Sequence, residues 1–248
     1  MTLDYPAIID TEAARLVAAY EAAPSGRVAW SEHWSVGTIA RHVAGTHHVV
    51  AKVVEQRPNA NFGLFASLDA PEKNAAEFPG WFAEGTAALI AQLRGVNDNE
   101  RCWDWYHGAG GSVGFWSRRM AQETTVHRWD AQAGAGGDIA SIEPSVASDG
   151  IDEYLEVFVD ATRSGANAVA GPTIRVEATD TDGDWYLELP AGGRIVHRDE
   201  TDHALHLRGR AEDLLLFIWG RRSSDGAEIE VNGDHSVLHH WSEFIPPM

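Results

Sequence analysis

The chain has 248 residues and a mass of 27.0 kDa, and its 44% hydrophobic and 23% charged residues are typical of a globular protein. This balance excludes a wholly disordered chain. The formal net charge of −18 repels phosphate backbones and anionic lipid surfaces, so we expect neither a nucleic acid nor a membrane partner.

The acidity is unevenly distributed along the chain. Residues 1–137 carry 15 acidic and 11 basic side chains, whereas residues 138–248 carry 22 and 8. This difference indicates two parts of distinct character. Of the 19 basic residues only Lys52 and Lys73 are lysines. Arginine is well suited to binding carboxylates, although a GC-rich genome would produce the same excess.

The sequence contains a single cysteine, Cys102, so no internal disulfide can form. The first ten residues, MTLDYPAIID, lack the basic start and apolar core of a signal peptide. The longest strongly apolar stretch, Leu214–Trp219, is far shorter than the roughly 20 residues that cross a bilayer. We therefore expect a cytoplasmic protein without a membrane span.

The first two thirds of the chain show helical periodicity, because apolar residues recur at spacings of three and four. Ser35 and Ser112 are suited to cap the second and fourth predicted helices, and glycines or prolines follow most of the predicted ends. The five predicted helices run from Ile8 to Ala23, from Ser35 to Gln56, from Pro79 or Gly80 to Arg94, from Ser112 to Gly134, and from Pro144 to Thr162.

From Gly171 onward the apolar period changes to two, which indicates strands. The predicted elements are a hairpin of Thr173–Ala178 and Trp185–Leu189, strands at Arg194–Arg198 and Asp202–Arg208, a helix at Ala211–Trp219, a strand at Glu228–Val231 and a helix at Asp234–Phe244. Helices followed by strands favour separate units over one doubly wound sheet. We predict a helical domain over residues 1–165 and a smaller α+β domain over 170–248, with the boundary between 163 and 171.

The most specific local pattern is Glu123 and His127 on the fourth predicted helix, because a spacing of four places both side chains on one face. On the second helix, His42 is in phase with the apolar stripe and should face the bundle. If the two helices are neighbours, His42, Glu123 and His127 form a two-histidine, one-carboxylate set that suits zinc and also fits iron or nickel. Asp130 could accept the second N–H of His127. The alternative is that Glu123 pairs with Arg119 and the histidines are core residues.

Other candidate residues are less specific. His47 and His48 are turned well away from the face of His42. His203 and His206 should lie on opposite faces of a predicted strand, which makes joint metal binding improbable. Cys102 could be a nucleophile, but beyond Arg101 it has no cationic neighbour or helix start that would lower its pKa, which favours a buried or idle thiol.

The two arginines Arg221 and Arg222 close the apolar helix of the second domain, where cations are favoured by the helix dipole. A role in binding a substrate carboxylate is the alternative for these residues.

Several segments resemble a known family when they are taken together. Trp34–Gly45 and Arg119–Asp130 resemble the two signature segments of the mycothiol-dependent maleylpyruvate isomerase family, within the DinB-like superfamily. Gly209–Arg221, followed by Val231–Asp234, is similar to the C-terminal domain of that family. The matching segments occur in the same order, so the resemblance covers nearly the whole chain.

The resemblance implies a DinB-like up-down helical bundle with a divalent metal, usually zinc, at His42, Glu123 and His127. It also implies a C-terminal α+β domain resembling sterol carrier proteins, in which Arg221 or Arg222 helps to bind substrate. The implied partners are mycothiol and a small electrophilic unsaturated carboxylic acid. Mycothiol would act as a metal-associated thiolate that adds to a conjugated cis double bond of the acid. An S-transferase acting in detoxification and a non-catalytic small-molecule-binding protein stay open as alternatives.

Overall fold

The computed structural model of the protein describes residues 3–163, 169–224 and 228–245. The chain divides into two compact units, residues 1–140 and 141–248. Residue 165, the predicted end of the first domain, lies outside the described residues. The predicted combination of a helical bundle with a smaller α+β part is confirmed. In the described ranges, no helix is both long enough and apolar enough to cross a membrane.

The first unit is a bundle in which α1 packs against α5, and α2 packs against both α4 and α5. Its helices are α1 (Tyr5–Ala22), α2 (Val36–Gln56), α3 (Gly63–Ala66), α4 (Phe78–Gly95) and α5 (Val113–Ala135). Every bound of the four long helices lies within one turn of its prediction. The short helix α3 and the 3-10 turn Arg57–Asn59 were not predicted, because neither is long enough to show an apolar period.

The ends of α2 and α5 follow from local chemistry. Ser35 accepts a hydrogen bond from the backbone N–H of Thr38, and Ser112 accepts one from that of Phe115, so both predicted N-caps are confirmed. Helix α5 ends at Gly136, whose φ of 73° is a left-handed conformation that glycine adopts without steric cost. These caps set the start of the two helices that carry the candidate metal ligands.

The second unit begins with α6 (Pro144–Glu153), a π-helical turn (Tyr154–Phe158) and α7 (Val159–Arg163). The helix predicted over this range is therefore present but interrupted. It packs against α8 (Ala211–Ile218), and its apolar side is buried there. For that reason it belongs to the second unit, whereas the sequence analysis assigned it to the first domain.

A five-stranded sheet forms the body of the second unit, in the order β3-β2-β1-β4-β5. Its strands are β1 (Ile174–Ala178), β2 (Asp184–Glu188), β3 (Ile195–His197), β4 (Leu205–Gly209) and β5 (Glu230–Gly233). Strands β1 and β4 are parallel, and the other pairs are antiparallel, including the predicted β1-β2 hairpin. The last predicted helix is divided into α9 (Ser236–His239) and α10 (Trp241–Phe244).

Candidate metal centre

Three candidate metal ligands converge inside the first unit. His42 comes from α2, and Glu123 and His127 come from α5. Glu123 Oε1 lies 2.7 Å from His42 Nε2 and 3.4 Å from His127 Nε2. One ligand atom of each residue lies within 4.8 Å of the other two, and no other group of this kind occurs among the described residues. The two helices are therefore neighbours, as the predicted set required.

A fourth residue, Asp130, orients His127 from the far side of its ring. His127 Nδ1 lies 3.0 Å from Asp130 Oδ2, and the other carboxylate oxygen accepts a hydrogen bond of 2.8 Å from the indole N–H of Trp30. A carboxylate at Nδ1 holds the N–H there and leaves the lone pair of Nε2 directed towards Glu123. Asp130 was predicted at this position from its spacing to His127, whereas nothing in the sequence pattern indicated Trp30.

The pairing of Glu123 with Arg119, which was the alternative interpretation, also exists in the structure. The guanidinium of Arg119 is buried and donates a hydrogen bond of 3.0 Å to Glu123 Oε2. This bond uses the oxygen that does not face the histidines. The two interpretations are thus compatible, since Arg119 holds one carboxylate oxygen while the other faces His42 and His127.

Electrostatics at the centre favour a negative Glu123. Burial alone would raise the pKa of its carboxyl group, but the two histidines and Arg119 lower this pKa well below its usual range. Burial disfavours the charged form of His127 as well, yet Glu123 and Asp130 raise the pKa of His127 to about 9. The site therefore attracts positive charge, which a divalent cation supplies in place of a proton.

The donor set fits a borderline divalent metal ion. Two imidazole nitrogens and one carboxylate oxygen are typical ligands of catalytic zinc, and they leave coordination positions for water or substrate. The side chains of Glu123 and His127 are 18% and 11% exposed, whereas that of His42 is 40% exposed. The centre is therefore open on the side of His42 and closed by protein elsewhere.

A cleft of about 530 Å³ begins on this open side. Trp34 forms one of its walls, with its ring centroid 5.3 Å from that of His42 and 6.1 Å from that of His127. The lining also includes Phe65 and Leu68 from the connection between α2 and α4. This cleft was not predicted from the sequence, because the connecting segment has no apolar period.

The neighbouring histidines of α2, His47 and His48, point away from the metal centre, as their spacing from His42 predicted. His47 is fully buried, and its ring nitrogens lie 3.0 Å and 2.9 Å from the hydroxyl oxygens of Thr86 and Thr124. Burial lowers the pKa of His47 to about 3, so the ring is neutral. His48 stacks on Trp81 and lies 2.8 Å from its backbone oxygen.

Outside the centre, two expectations have different outcomes. Cys102 is buried, and burial raises its pKa to about 11, which agrees with an unreactive thiol. The expectation of opposite faces for His203 and His206 is wrong, because β4 begins only at Leu205 and the two rings contact each other edge-on at 5.6 Å.

The two predicted substrate-binding arginines follow α8 in the second unit. Arg222 forms an ion pair with Asp213. Arg221 donates a hydrogen bond of 2.7 Å to the backbone oxygen of Trp219, and its guanidinium lies 5.7 Å from the centre of that indole ring. Their predicted role in binding substrate stays a prediction.

Comparisons with known proteins agree on one family. The profile of the mycothiol maleylpyruvate isomerase N-terminal domain matches residues 7–132, and that of the C-terminal domain of the same family matches residues 145–240. Two similar solved structures are the mycothiol-dependent maleylpyruvate isomerase and a histidine-to-alanine mutant of it. They share 14% and 13% sequence identity with the chain, at TM-scores of 0.52 and 0.57, and the match covers 92% of both chains in each case. No curated protein sequence shows significant similarity.

Proposed function

The chain belongs to the mycothiol maleylpyruvate isomerase family, and on that premise we propose that it is a divalent-metal-dependent and mycothiol-dependent enzyme acting on a small unsaturated carboxylic acid. The observation that carries this proposal is the convergence of His42, Glu123 and His127 beside a cleft that His42 lines. Zinc is the metal that we propose first, because the donor set is that of catalytic zinc sites.

Each residue of the centre has a distinct task in this proposal. His42, Glu123 and His127 would hold the metal, which when bound would stabilise the thiol as a thiolate. Asp130 keeps His127 in the tautomer whose Nε2 is free to bind. Arg119 holds Glu123 Oε2, so that Oε1 remains directed at the two imidazoles.

The ring of Trp34 lies against both imidazoles and covers them on that side. His42, the most exposed of the three candidate ligands, borders the cleft, so we propose that substrates approach from there. We further propose that Arg221 or Arg222 binds a carboxylate of the substrate, as the family resemblance implies.

In the isomerase reaction that we propose, the thiolate adds to a conjugated cis double bond and leaves a C–C single bond about which the substrate rotates. Elimination of the same thiolate then restores the double bond in the trans form, so that the thiol is regenerated. An S-transferase on the same centre would instead consume one thiol for each product.

Metal analysis of the purified protein tests the centre directly. We expect about one divalent ion per chain in the wild type and a large loss in His42→Ala and Glu123→Gln. His235→Ala is a matched control, since His235 is an exposed histidine in the other unit. Equal metal content in the wild type and the two centre variants would contradict the metal proposal.

Turnover assays test the reaction. The wild-type protein is incubated with mycothiol and either maleylpyruvate or a panel of other electrophiles, while free thiol and product are quantified together. Product formed at constant thiol supports an isomerase, and equal loss of thiol supports an S-transferase. Tight binding of metal and thiol without turnover on any electrophile would favour a non-catalytic binding protein instead.

A further inference from the structure

The cleft beside His42 contains an unusual balance of charge for this chain. Arg41 and Lys73 line it with only one carboxylate, that of Glu72. The cleft is therefore net positive, although the whole chain carries a net charge of −18. A positive cleft in an acidic protein raises the local concentration of anions.

The two cations of the cleft differ in how their charge is used. The guanidinium of Arg41 donates to the backbone oxygens of Pro71 and Ala70, at 2.9 Å and 3.2 Å, and so holds the connecting segment in place. The ammonium of Lys73 lies 3.0 Å from Thr38 Oγ1 and 3.4 Å from Ser35 Oγ. Within the described ranges, no carboxylate lies within ion-pair distance of Lys73. Lys73 is exposed, so water solvates part of its charge and the ammonium is accessible to an anion from solution.

The position of Lys73 relative to the metal centre is set by α2. Thr38 and His42 are four residues apart on this helix, so they share a face and are separated by a rise of about 6 Å. Both line the cleft. A molecule with a carboxylate at Lys73 therefore needs only a few bonds to reach the space in front of His42.

The remaining lining describes the rest of the ligand. Val49, Phe65 and Leu68 form an apolar wall beside the same space. Such a wall favours a carbon chain over a polyol. The matching ligand is a small carboxylate with an apolar or unsaturated body.

We propose that Lys73 and the hydroxyl of Thr38 form a carboxylate-binding subsite, which holds the acid group of the electrophile about one helical turn from the metal centre. The identity of the ligand as the electrophile rests on the proposed function. The subsite itself rests on the cleft, its charge and the contacts of Lys73, and it lies wholly within the first unit.

Selective acylation tests the subsite without any turnover. The chain has only two lysines, and Lys52 is an exposed residue of the same helix α2 that does not line the cleft. The metal-loaded protein is treated with acetic anhydride in the presence and absence of succinate, and the two lysines are quantified by mass spectrometry. We expect succinate to slow acetylation of Lys73 about threefold or more, with Lys52 unchanged, since a bound carboxylate shields the amine.

Calorimetric titration with succinate supplies the affinity. We expect Lys73→Met to raise the Kd about tenfold, which is the loss typical of one charge-assisted hydrogen bond, and Lys52→Met to change it less than twofold. Lys73→Arg should restore part of the affinity, and Glu72→Gln should tighten binding because it removes the one carboxylate of the cleft. Succinamide, the uncharged analogue, should neither bind measurably nor protect Lys73.

Equal protection of both lysines by succinate would overturn the subsite, and so would an unchanged Kd in Lys73→Met with unaltered metal content and thermal stability. Inorganic phosphate at equal ionic strength is the reference for general anion attraction, and equal protection of Lys73 by phosphate would also contradict a carboxylate site. Failure of the proposed function is distinguishable, because succinate binding through Lys73 without thiol-dependent turnover would support the subsite alone.

Discussion

Two histidine clusters lie side by side on the same pair of helices, and they differ in almost every property. At the metal centre, His42 of α2 contacts Glu123 of α5, and its side chain is 40% exposed. Five residues further along α2, His47 contacts Thr124 of α5 and is fully buried. The first cluster contains charged partners, whereas the second contains only hydroxyl partners at its ring nitrogens.

The comparison shows what separates a candidate ligand from a core histidine in one helix. A carboxylate partner makes the first site attractive to a cation, and exposure leaves room for a further ligand. Hydroxyl partners satisfy both nitrogens of His47 without adding charge, so burial keeps that ring neutral. We therefore expect substitutions in the first cluster to change metal binding and substitutions in the second to change stability.

The largest expected effect is on metal affinity. Glu123→Gln removes the only anionic ligand of the three, so we expect the affinity for zinc to fall at least about 100-fold. Residues that only support the ligands contribute up to about 100-fold, and loss of a ligand should cost no less. Thr124→Val is the matched control in the adjacent cluster, and it should change zinc affinity less than about threefold. Competition titration with a chromogenic chelator measures both, and equal losses would mean that the two clusters are not functionally distinct.

The converse effect concerns stability. His47→Ala removes a buried ring and two hydrogen bonds, so we expect the free energy of unfolding to fall by about 2 to 3 kcal/mol. His42→Ala should cost less than about 1 kcal/mol in the metal-free protein, because the side chain is partly exposed. Urea denaturation in the presence of a chelator measures both variants. A larger loss of unfolding free energy in His42→Ala than in His47→Ala would contradict the assignment of His47 as the structural histidine and of His42 as the functional one.

A third prediction concerns pH. The pKa of His47 is about 3 in the folded protein and near 6.5 in the unfolded chain, so the unfolded state binds a proton first as the pH falls. The stability that neutral His47 provides is present at pH values above the pKa of His47 in the unfolded chain. It is lost progressively as the pH drops below that pKa. The free energy of unfolding therefore falls by about 2 kcal/mol between pH 7 and pH 5.

The control for this pH effect is His47→Gln, which cannot titrate. Between pH 7 and pH 5 its free energy of unfolding should fall by about 2 kcal/mol less than that of the wild type. Burial is the main cause of the low pKa, while Glu123 opposes it and His42 and His48 add to it. His48→Gln should leave most of the pH dependence in place. Parallel curves of unfolding free energy against pH for the wild type and His47→Gln would contradict the prediction. They would show that His47 carries a proton in the folded state or does not contribute to the pH dependence.

The helices and the direction of each candidate ligand were accessible from sequence because they depend on short-range rules, whereas the neighbourhood of α2 and α5 was a condition that the family resemblance supplied. Ser35 and Ser112 mark helix starts, and a spacing of four places Glu123 and His127 together. The phase of His42 relative to the apolar stripe then indicates the direction in which it points. None of these inferences requires knowledge of how distant segments pack.

What sequence reasoning missed depends on packing between distant segments. Trp30 and Asp130 are 100 residues apart and meet only because the loop before α2 reaches α5. Lys73 comes from a connection that shows no period, and the hydrogen bonds of Arg41 to Ala70 and Pro71 hold that connection against α2. The π-helical turn in the second unit likewise has no local signal, since its five residues continue the helical pattern.

The smallest predicted effect separates orientation from ligation within the metal centre. Asp130→Asn keeps the size of the side chain but replaces a strong acceptor for the His127 N–H, so we expect zinc affinity to fall about tenfold. Trp30→Phe removes only the hydrogen bond to the other oxygen of Asp130 and should cost less than that. Because neither residue belongs to the proposed ligand set, the cobalt-substituted variants should keep the number of ligands of the wild type while binding cobalt more weakly. A changed coordination number in the visible spectrum of Asp130→Asn would instead mean that Asp130 itself is a ligand, and the centre would then extend one turn further along α5.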